Sequence, residues 1–295
     1  GTLPTYVTKT FSGKSRLYGL RYGLLGESPT VCQKVLSHLK DYCRERQIVS
    51  SLIPAGFKKL ENMETLSVKT TVLLSLQNTK AKTWNSLRDK TRNMIRRGKR
   101  AGLTVECGFH NLHEFYEIYA LHMRHIGVYL HSIRFFEQME RILKDRVELI
   151  CAKKSGHVIA GTILLYGKSV ASYPFQAQRI GYRHTAPVQL MNWYMMKHCI
   201  ERQIPLLDMG ESRVGSPVYQ SKINFGGEPK ELYYYSVHPL SRYCGKGSPR
   251  SSVPHNMRHS FGLKFVESVN WLVQRTPLGF STRLSSWMKS KGRII

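Results

Sequence analysis

The chain has 295 residues, and 41% of them are hydrophobic, which is enough for a full core and argues against wholesale disorder. Its 45 Lys and Arg against 19 Asp and Glu give a formal net charge of +26, which is extreme for an enzyme acting on small neutral molecules. This charge indicates a polyanionic partner: nucleic acid, an anionic membrane or a phosphate-bearing substrate. A general bias of the surface composition would give the same charge, and the charge carries no information about the fold.

The sequence predicts a cytoplasmic protein without a bound metal. No apolar run approaches the ~18 residues of a membrane span, and no secretory signal peptide is visible. The six cysteines are scattered without a C-x-x-C pair, which argues against a zinc site and favours a reducing compartment. His122 and His125 are three apart on a predicted helix, but no third ligand accompanies them.

The first hundred residues predict a short α/β segment. Two short strands surround the turn at 12–15, and a helix over 29–47 follows the pair Ser28-Pro29. Residues 68–76 are β-branched and apolar, which is typical of a strand.

A basic helix is predicted next, over 82–101. Its apolar stripe consists of Trp84, Leu87, Met94 and Ile95. Arg92, Arg96 and Arg97 lie among the cations on its other faces, and Gly102 occupies the place of a C-cap glycine. Cations near a helix C-terminus complement the helix dipole, so a solvated structural face and a polyanion-binding face explain this pattern equally well.

The rest of the chain predicts a mixed sheet. The predicted order is a strand at 103–107, helices at 111–127 and 132–144, a three-strand meander over 147–176, a helix at 186–203, and strands at 205–209 and 231–237. A meander after two helices, followed by a strand–helix–strand crossover, predicts an α/β protein with a mixed (α+β) sheet covered by helices. Residues 241–260 read as a polar linker. Residues 261–292 read as a basic amphipathic tail, which either packs on the core or contacts an anionic membrane.

A dense polar segment over 207–229 follows the apolar strand at 205–209. It contains Asp208, two glycine turns, Tyr219 and Lys222. Because chemistry usually lies on loops carried by a rigid scaffold, this segment predicts a pocket at the end of the strand.

The order of these elements resembles the GNAT acyltransferase fold, and the residues resemble the FemAB-type family of peptidyl and aminoacyl transferases, in particular its exosortase-associated branch. The motifs that carry the resemblance are Trp84-x-x-Leu87-x-x-Lys90-x-Arg92-Asn93-x-Ile95-Arg96-Arg97, Phe115-Tyr116 with Met123-Arg124-x-x-Gly127, Tyr173-Pro-Phe-Gln176, and Asp208-x-Gly210-x-Ser212 continuing through Tyr219, Lys222 and Phe225-Gly226-x-Glu228-Pro229.

The resemblance implies a tandem GNAT-like architecture. Residues 1–102 would form a partial first half, 103–240 a complete GNAT-like domain, and 241–295 a basic linker and helical tail. Two positions depart from the family: Glu211 stands where the family usually has Arg, and Ser221 stands where an aromatic residue usually precedes the lysine. Without this arginine, the bidentate hydrogen bonds that its guanidinium would make with a phosphate or carboxylate are lost. This implies a different acceptor or a weakened activity.

The resemblance also implies an enzyme that transfers an acyl or aminoacyl group to an amine of a cell-envelope peptide or saccharide precursor. In it, Lys222 stabilises charge at the tetrahedral oxyanion or at a substrate phosphate, unless it is an ordinary surface lysine. Asp208 accepts the amine proton or caps the next turn, and Tyr219 donates to the leaving group or only packs. Residues expected to line the substrate groove, each with the alternative of a core position, are Tyr119, Arg124, Tyr173 and Gln176. Ser212 and Arg213 are also expected to bind substrate.

The donor stays open between aminoacyl-tRNA and acyl-CoA. The stretch from Gln178 to Arg183 partly matches the pyrophosphate-binding pattern of acyl-CoA enzymes, but Arg183 replaces its last small residue. The basic helix favours tRNA as the donor instead.

The expected donor-binding or polyanion-binding residues are Arg92, Arg96, Arg97, Arg179, Gly181 and Arg183. Expected partners are tRNA, a phosphate-bearing envelope precursor and the inner membrane face. The competing hypothesis is a non-catalytic nucleic-acid or anionic-membrane binder on a decayed transferase scaffold.

Overall fold

The computed structural model describes residues 1–3, 5–9, 13–19, 24–57, 59–60, 63, 65–126 and 130–238. Its strands are β1 (Thr5–Lys9), β2 (Ser15–Gly19), β3 (Ile48–Gly56), β4 (Thr65–Ser75), β5 (Thr104–Cys107), β6 (Val147–Lys154), β7 (His157–Tyr166), β8 (Val170–Gln178), β9 (Leu206–Glu211) and β10 (Glu228–Tyr235). Its α-helices are α1 (Pro29–Glu45), α2 (Lys80–Ser86), α3 (Asp89–Arg100), α4 (Leu112–His125), α5 (Ile133–Leu143), α6 (Pro187–Glu201) and α7 (Pro217–Asn224).

The described residues form two compact packing units. One contains residues 1–70 together with 230–238, and the other contains residues 71–229. The predicted linker and amphipathic tail lie outside the described residues, and the predicted domain boundaries at 102 and 240 stay predictions. In the part of the chain that the structure describes, no helix combines the length and the apolar composition needed to cross a membrane.

In the first unit the strand order is β1-β2-β3-β10. The pair β2–β3 is parallel, and its neighbouring pairs are antiparallel. Helix α1 begins at Ser28, whose Oγ accepts from the Val31 N–H at 3.3 Å, and it buries Leu36 and Cys43 in this unit's core.

Strand β3 was not predicted from the sequence, because Ser50-Ser51 and Pro54 interrupt its apolar run. The structure accommodates the buried Ser51 through contacts of its hydroxyl oxygen. This oxygen lies 3.2 Å from the Ser236 hydroxyl and 3.1 Å from His238 Nδ1, and it accepts from the Val237 N–H at 3.0 Å. A polar residue is tolerated inside a strand when such partners are present.

In the second unit the strand order is β4-β9-β8-β7-β6-β5, and only the pair β8–β9 is parallel. Alternate residues of β6 face opposite sides of this sheet. Ile150 packs into the cluster that contains α6, whereas Leu149 packs into the aromatic cluster of α4 and α5. The predicted mixed sheet covered by helices is confirmed.

The single basic helix predicted over 82–101 is wrong in one respect, because it is two helices. Leu87 and Arg88 both have extended backbone angles, with ψ 142° and 146°, and Leu87 is buried. Burying this leucine in an extended conformation separates α2 from α3, whose first turn then begins at Asp89 beside the positive end of the helix dipole. The predicted C-cap glycine is confirmed: Gly102 has φ +72°, and its N–H donates to the Lys99 carbonyl at 3.0 Å.

Helix α7 was also not predicted from the sequence, because the polar composition of the segment around it is typical of turns. Its N-terminus has the usual helix-start signals: Ser216 Oγ accepts from the Tyr219 N–H at 3.2 Å as an N-cap, and Pro217 occupies the first helical position. Gly226, with φ +88°, follows its end. Tyr219 and Lys222 therefore lie on a short helix rather than on a loop.

The close packing of α7 on the sheet gives a stability prediction for Gly227→Ala. An added Cβ would lie 2.4 Å from Val72 Cγ1 and 3.0 Å from the Lys222 carbonyl oxygen. We expect the variant to lose about 2 kcal/mol of unfolding free energy in urea denaturation, the usual cost of overpacking. Gly181→Ala is the control, because a Cβ there meets nothing within 4 Å. Equal stability of the two variants would contradict the packing described here.

Candidate active site

The candidate site lies where the parallel strands β8 and β9 separate. Their pairing runs from Val170↔Leu206 to Ser172↔Asp208, and both strands continue past that point. Beyond it, the two strands do not pair with each other, and a gap of this kind can hold an extended ligand in the manner of an added strand.

A bulge in β8 coincides with this separation. Ser172 is opposite Leu165 and Phe175 is opposite Ile163, so Tyr173 and Pro174 together face one residue of β7. Proline has no N–H to donate to a ladder, and bulges are frequent beside active sites, where they redirect side chains.

A second bulge lies directly across the opening, in β9. Asp208 is opposite Leu73 and Glu211 is opposite Thr71, so two residues of β9, one of them Gly210, face one residue of β4. Gly210 has φ +80°, a conformation that favours glycine. The chain therefore turns out of the regular ladder at the start of the polar segment predicted to contain the site.

Asp208 fixes this second bulge. Its side chain is 1% exposed, and Oδ1 accepts from the Thr71 hydroxyl at 2.7 Å and from the Gly210 N–H at 2.9 Å. These contacts correspond to the turn-capping alternative for Asp208.

Lys222 reaches from α7 to the same turn and is 8% exposed. Its Nζ donates to the carbonyls of Gly210 and Glu211, at 2.9 and 3.3 Å, and to Ser212 Oγ at 2.7 Å. An ammonium has three hydrogens, and three acceptors lie within reach. Lys222 is thus a buried cation that orders the segment after β9, not an ordinary surface lysine.

The remaining residues of the polar segment differ in their surroundings. The Ser212 hydroxyl donates to the Glu211 carbonyl at 2.8 Å while it accepts from Lys222. Tyr219 is part-buried and packs against the core cluster of this unit, whereas Arg213 is exposed.

Two predicted groove residues lie on β8 beyond the separation. Burial, and then the negative charge of Asp208, raise the pKa of Tyr173, so its hydroxyl stays protonated near the carboxylate. Gln176 Nε2 donates to Oδ1 of the buried Asn192 on α6 at 3.2 Å. The structure therefore joins Asp208, Ser212 and Lys222 at the turn after the separation, and it places Tyr173 and Gln176 on the part of β8 that does not pair with β9.

Tyr119 belongs to the core instead. It is 2% exposed, its ring packs edge-on against Phe136 and Phe175 with centroids 5.2 and 6.0 Å away, and burial raises its pKa to about 12. This corresponds to the core alternative for Tyr119. Arg124 is part-buried near the end of α4.

The predicted donor-binding residues on the β8–α6 connection lie in a 3₁₀ helix, Ile180–Thr185, directly before α6. Gly181 and Arg183 are exposed there. Arg179 precedes this helix and is held by the Val158 carbonyl at 3.3 Å and by Glu117 at 3.8 Å.

The basic helix α3 packs against the start of α6. A Cβ built on Gly98 would lie 3.1 Å from Leu190 Cβ and 3.4 Å from the Ala186 carbonyl oxygen, so the two helices approach closely. Arg96 and Arg97 are exposed on α3, and the Arg96 guanidinium lies 5.6 Å from the ring centroid of Trp84. Arg92 pairs with Asp89 and is part-buried.

Comparisons with known proteins agree with this geometry. Residues 85–220 match the acetyltransferase (GNAT) domain family. Among solved structures, FemX superposes with a TM-score of 0.58 at 14% identity, covering 75% of this chain and 80% of that chain. The C-terminal domain of a putative lysylphosphatidylglycerol synthetase from Agrobacterium fabrum has a TM-score of 0.54 at 12% identity, covering 81% and 85%.

The structure of L-PGS from Bacillus licheniformis has a TM-score of 0.52 at 11% identity, covering 94% of this chain and 90% of that chain. At these identities the likeness concerns the fold alone. No curated protein matches the sequence. The predicted GNAT-like α/β fold is confirmed, and a GNAT domain supports acyl transfer in general.

Proposed function

We propose that this protein is an N-acyltransferase that moves an acyl or aminoacyl group from an activated carbonyl to an amine. The observation that carries the proposal is the separation of β8 and β9 at two facing bulges, inside the segment that matches the GNAT domain. An extended donor bound there brings its carbonyl next to the turn that Lys222 and Asp208 hold.

The chemistry is attack of a neutral amine on an ester or thioester. The C–N bond forms, a tetrahedral oxyanion develops, the C–O or C–S bond breaks, and a proton passes from nitrogen to the leaving group. Lys222 supplies positive charge to the oxyanion by turning one N–H away from Ser212 Oγ, which is the side-chain oxygen among these acceptors. Asp208 acts by holding the bulge, since its Oδ1 already accepts two bonds. Tyr219 is the proposed donor to the leaving group.

The donor we favour is aminoacyl-tRNA. Helix α3 carries exposed cations and packs, through its buried Gly98 face, against the start of α6, so a phosphate-rich donor bound along α3 also meets the cations of the β8–α6 connection. Acyl-CoA is the usual co-substrate of GNAT domains and remains the second donor. The proposed acceptor is an amine of a phosphate-bearing cell-envelope precursor at the inner membrane face, in line with FemX and the lysylphosphatidylglycerol synthetases as fold neighbours.

A second candidate function is non-catalytic binding of a polyanion. It is favoured by one observation, namely that Lys222 already has three acceptors and would have to exchange one of them to act on a substrate. Glu211 in place of the family's usual Arg points the same way.

Turnover separates the two functions. The full chain is incubated with radiolabelled aminoacyl-tRNA or acyl-CoA and a panel of amine-bearing envelope precursors, and label on the acceptor is measured. We expect transfer from one donor class only. Binding of both donors at low salt, with label transferred from neither to any acceptor, would reject the transferase in favour of the polyanion binder.

A further inference from the structure

A second polar cluster lies under α6, away from the β8–β9 opening. It joins Cys107 at the end of β5, Glu148 on β6 and His198 on α6, all part-buried, with ligand-type atoms within 4.8 Å of one another. This cluster could not be predicted from the sequence, because the three residues come from three separate elements and have no motif spacing.

The imidazole of His198 bridges the other two residues. Its Nε2 lies 4.0 Å from Cys107 Sγ, and its Nδ1 lies 2.7 Å from Glu148 Oε2. Cys107 and Glu148 contact opposite ring nitrogens of His198. Glu148 therefore orients the imidazole ring and does not act together with Cys107 as a ligand of one metal ion. This is the order of groups in a thiol activated by a histidine that a carboxylate holds in place.

The hydrogen bonds of His198 favour a protonated imidazole over an imidazole that binds a metal dication. Hydrogen bonds to Cys107 and then to Glu148 raise the pKa of His198 to about 10, although burial opposes them. Burial opposes ionisation of Glu148 as well, but its bonds with His198 and Tyr166 keep its pKa lowered. The facing titratable and charged groups are Glu148, Tyr166, Lys197, Arg202 and the buried thiols Cys151 and Cys199.

Lys197 precedes His198 on α6 and adds a further charged group to the surroundings of the cluster. Burial and the neighbouring Lys99 and Lys80 lower its pKa, whereas Glu201 and then Cys107 act in the opposite direction. A histidine that a carboxylate orients, beside a part-exposed cysteine, is a setting typical of reactive thiols.

We infer that Cys107 is a nucleophilic thiol paired with His198, with Glu148 as the positioning residue, and that peroxides modify it. In the reaction, Cys107 Sγ attacks one oxygen of hydrogen peroxide and the O–O bond breaks. The sulfur is oxidised to a sulfenic acid, and the departing hydroxide takes the His198 Nε2 proton and leaves as water. The peroxide oxygen is thereby reduced, and the step needs no other co-reactant.

The test compares Cys107 with an ordinary thiol of the same chain. Full-length protein carrying Cys32→Ser and Cys244→Ser keeps Cys107, while Cys43, Cys151 and Cys199 are buried. The reference protein carries Cys107→Ser and Cys244→Ser and keeps the part-exposed Cys32. Iodoacetamide alkylation is followed by intact mass at pH 6, and peroxide treatment is followed by trapping of the sulfenic acid with dimedone.

Cys107 is expected to react with iodoacetamide about tenfold faster than Cys32 at pH 6. An ordinary thiol is only about 0.3% thiolate at that pH, and pairing with a histidine is a usual way in which proteins raise the reactivity of a thiol. His198→Gln should bring Cys107 down to the rate of Cys32, and the dimedone adduct should disappear in Cys107→Ser.

Three results would overturn the assignment: equal alkylation rates of Cys107 and Cys32, an unchanged rate in His198→Gln, or one zinc ion per purified chain that blocks alkylation until a chelator is added. The first comparison uses intact His198, so it decides the question even if the His198 variant folds poorly.

Discussion

Replacing Lys222 by Met is expected to lower the rate of acyl transfer by about 100-fold or more. Loss of one group that stabilises a developing oxyanion typically costs this much, and here the same change also releases the turn that lines the opening. Met keeps the length and apolar stem of lysine, so α7 retains its packing. The measurement is kcat and KM for the donor identified in the turnover assay.

The Lys222 variant also leaves the Gly210 and Glu211 carbonyls without their shared donor, which we expect to cost about 2 kcal/mol of unfolding free energy. Assays well below the unfolding midpoint separate this effect from chemistry. Lys168→Met, in the exposed β7–β8 turn, is the control and should leave both rate and stability unchanged. Transfer by Lys222→Met within threefold of the parent rate would show that Lys222 has no catalytic part.

Reversing the charge of Arg96, Arg97 and Arg100 to Glu should weaken tRNA binding by about 100-fold or more at low salt. All three side chains are exposed on α3. Each lost phosphate contact should also reduce the slope of log affinity against log salt by nearly one, because fewer counterions are released. The measurement is a salt titration of tRNA affinity.

The matched control reverses Arg134, Arg141 and Lys144, which are exposed at or next to α5. Helices α3 and α5 pack into different core clusters, on opposite faces of the second unit's sheet. Both triple variants change the net charge equally, so equal losses of affinity would mean that total charge governs binding. A selective loss in the α3 variant would assign the tRNA surface to that helix.

Elements with strong local signals were predictable from the sequence. The meander β6–β7–β8, the helix α6 and the C-cap at Gly102 were all expected near where they occur. In each case neighbouring residues carry the information, through an apolar run of strand or helix length between turn residues, or through a glycine placed to adopt a positive φ.

Elements with mixed local preferences were not predictable in the same way. Strand β3 contains a buried serine that only distant residues near 236 satisfy. The break between α2 and α3 depends on burying Leu87, and helix α7 lies in a segment whose polar composition resembles a loop. Tertiary contacts override such weak local preferences, and no sequence window contains those contacts.

For the candidate site as well, some features were predictable from the sequence and others depend on tertiary contacts. The sequence by itself determined the positive charge and the GNAT-like order of elements, and it predicted a site in the segment with Asp208 and Lys222, because these depend on composition and on residues close together in the chain. Only the tertiary structure decided that Lys222 donates hydrogen bonds to Gly210, Glu211 and Ser212, and that Tyr119 lies in the core. It alone also brought Cys107 to His198, since partners from separate elements meet only when the sheet and its covering helices pack.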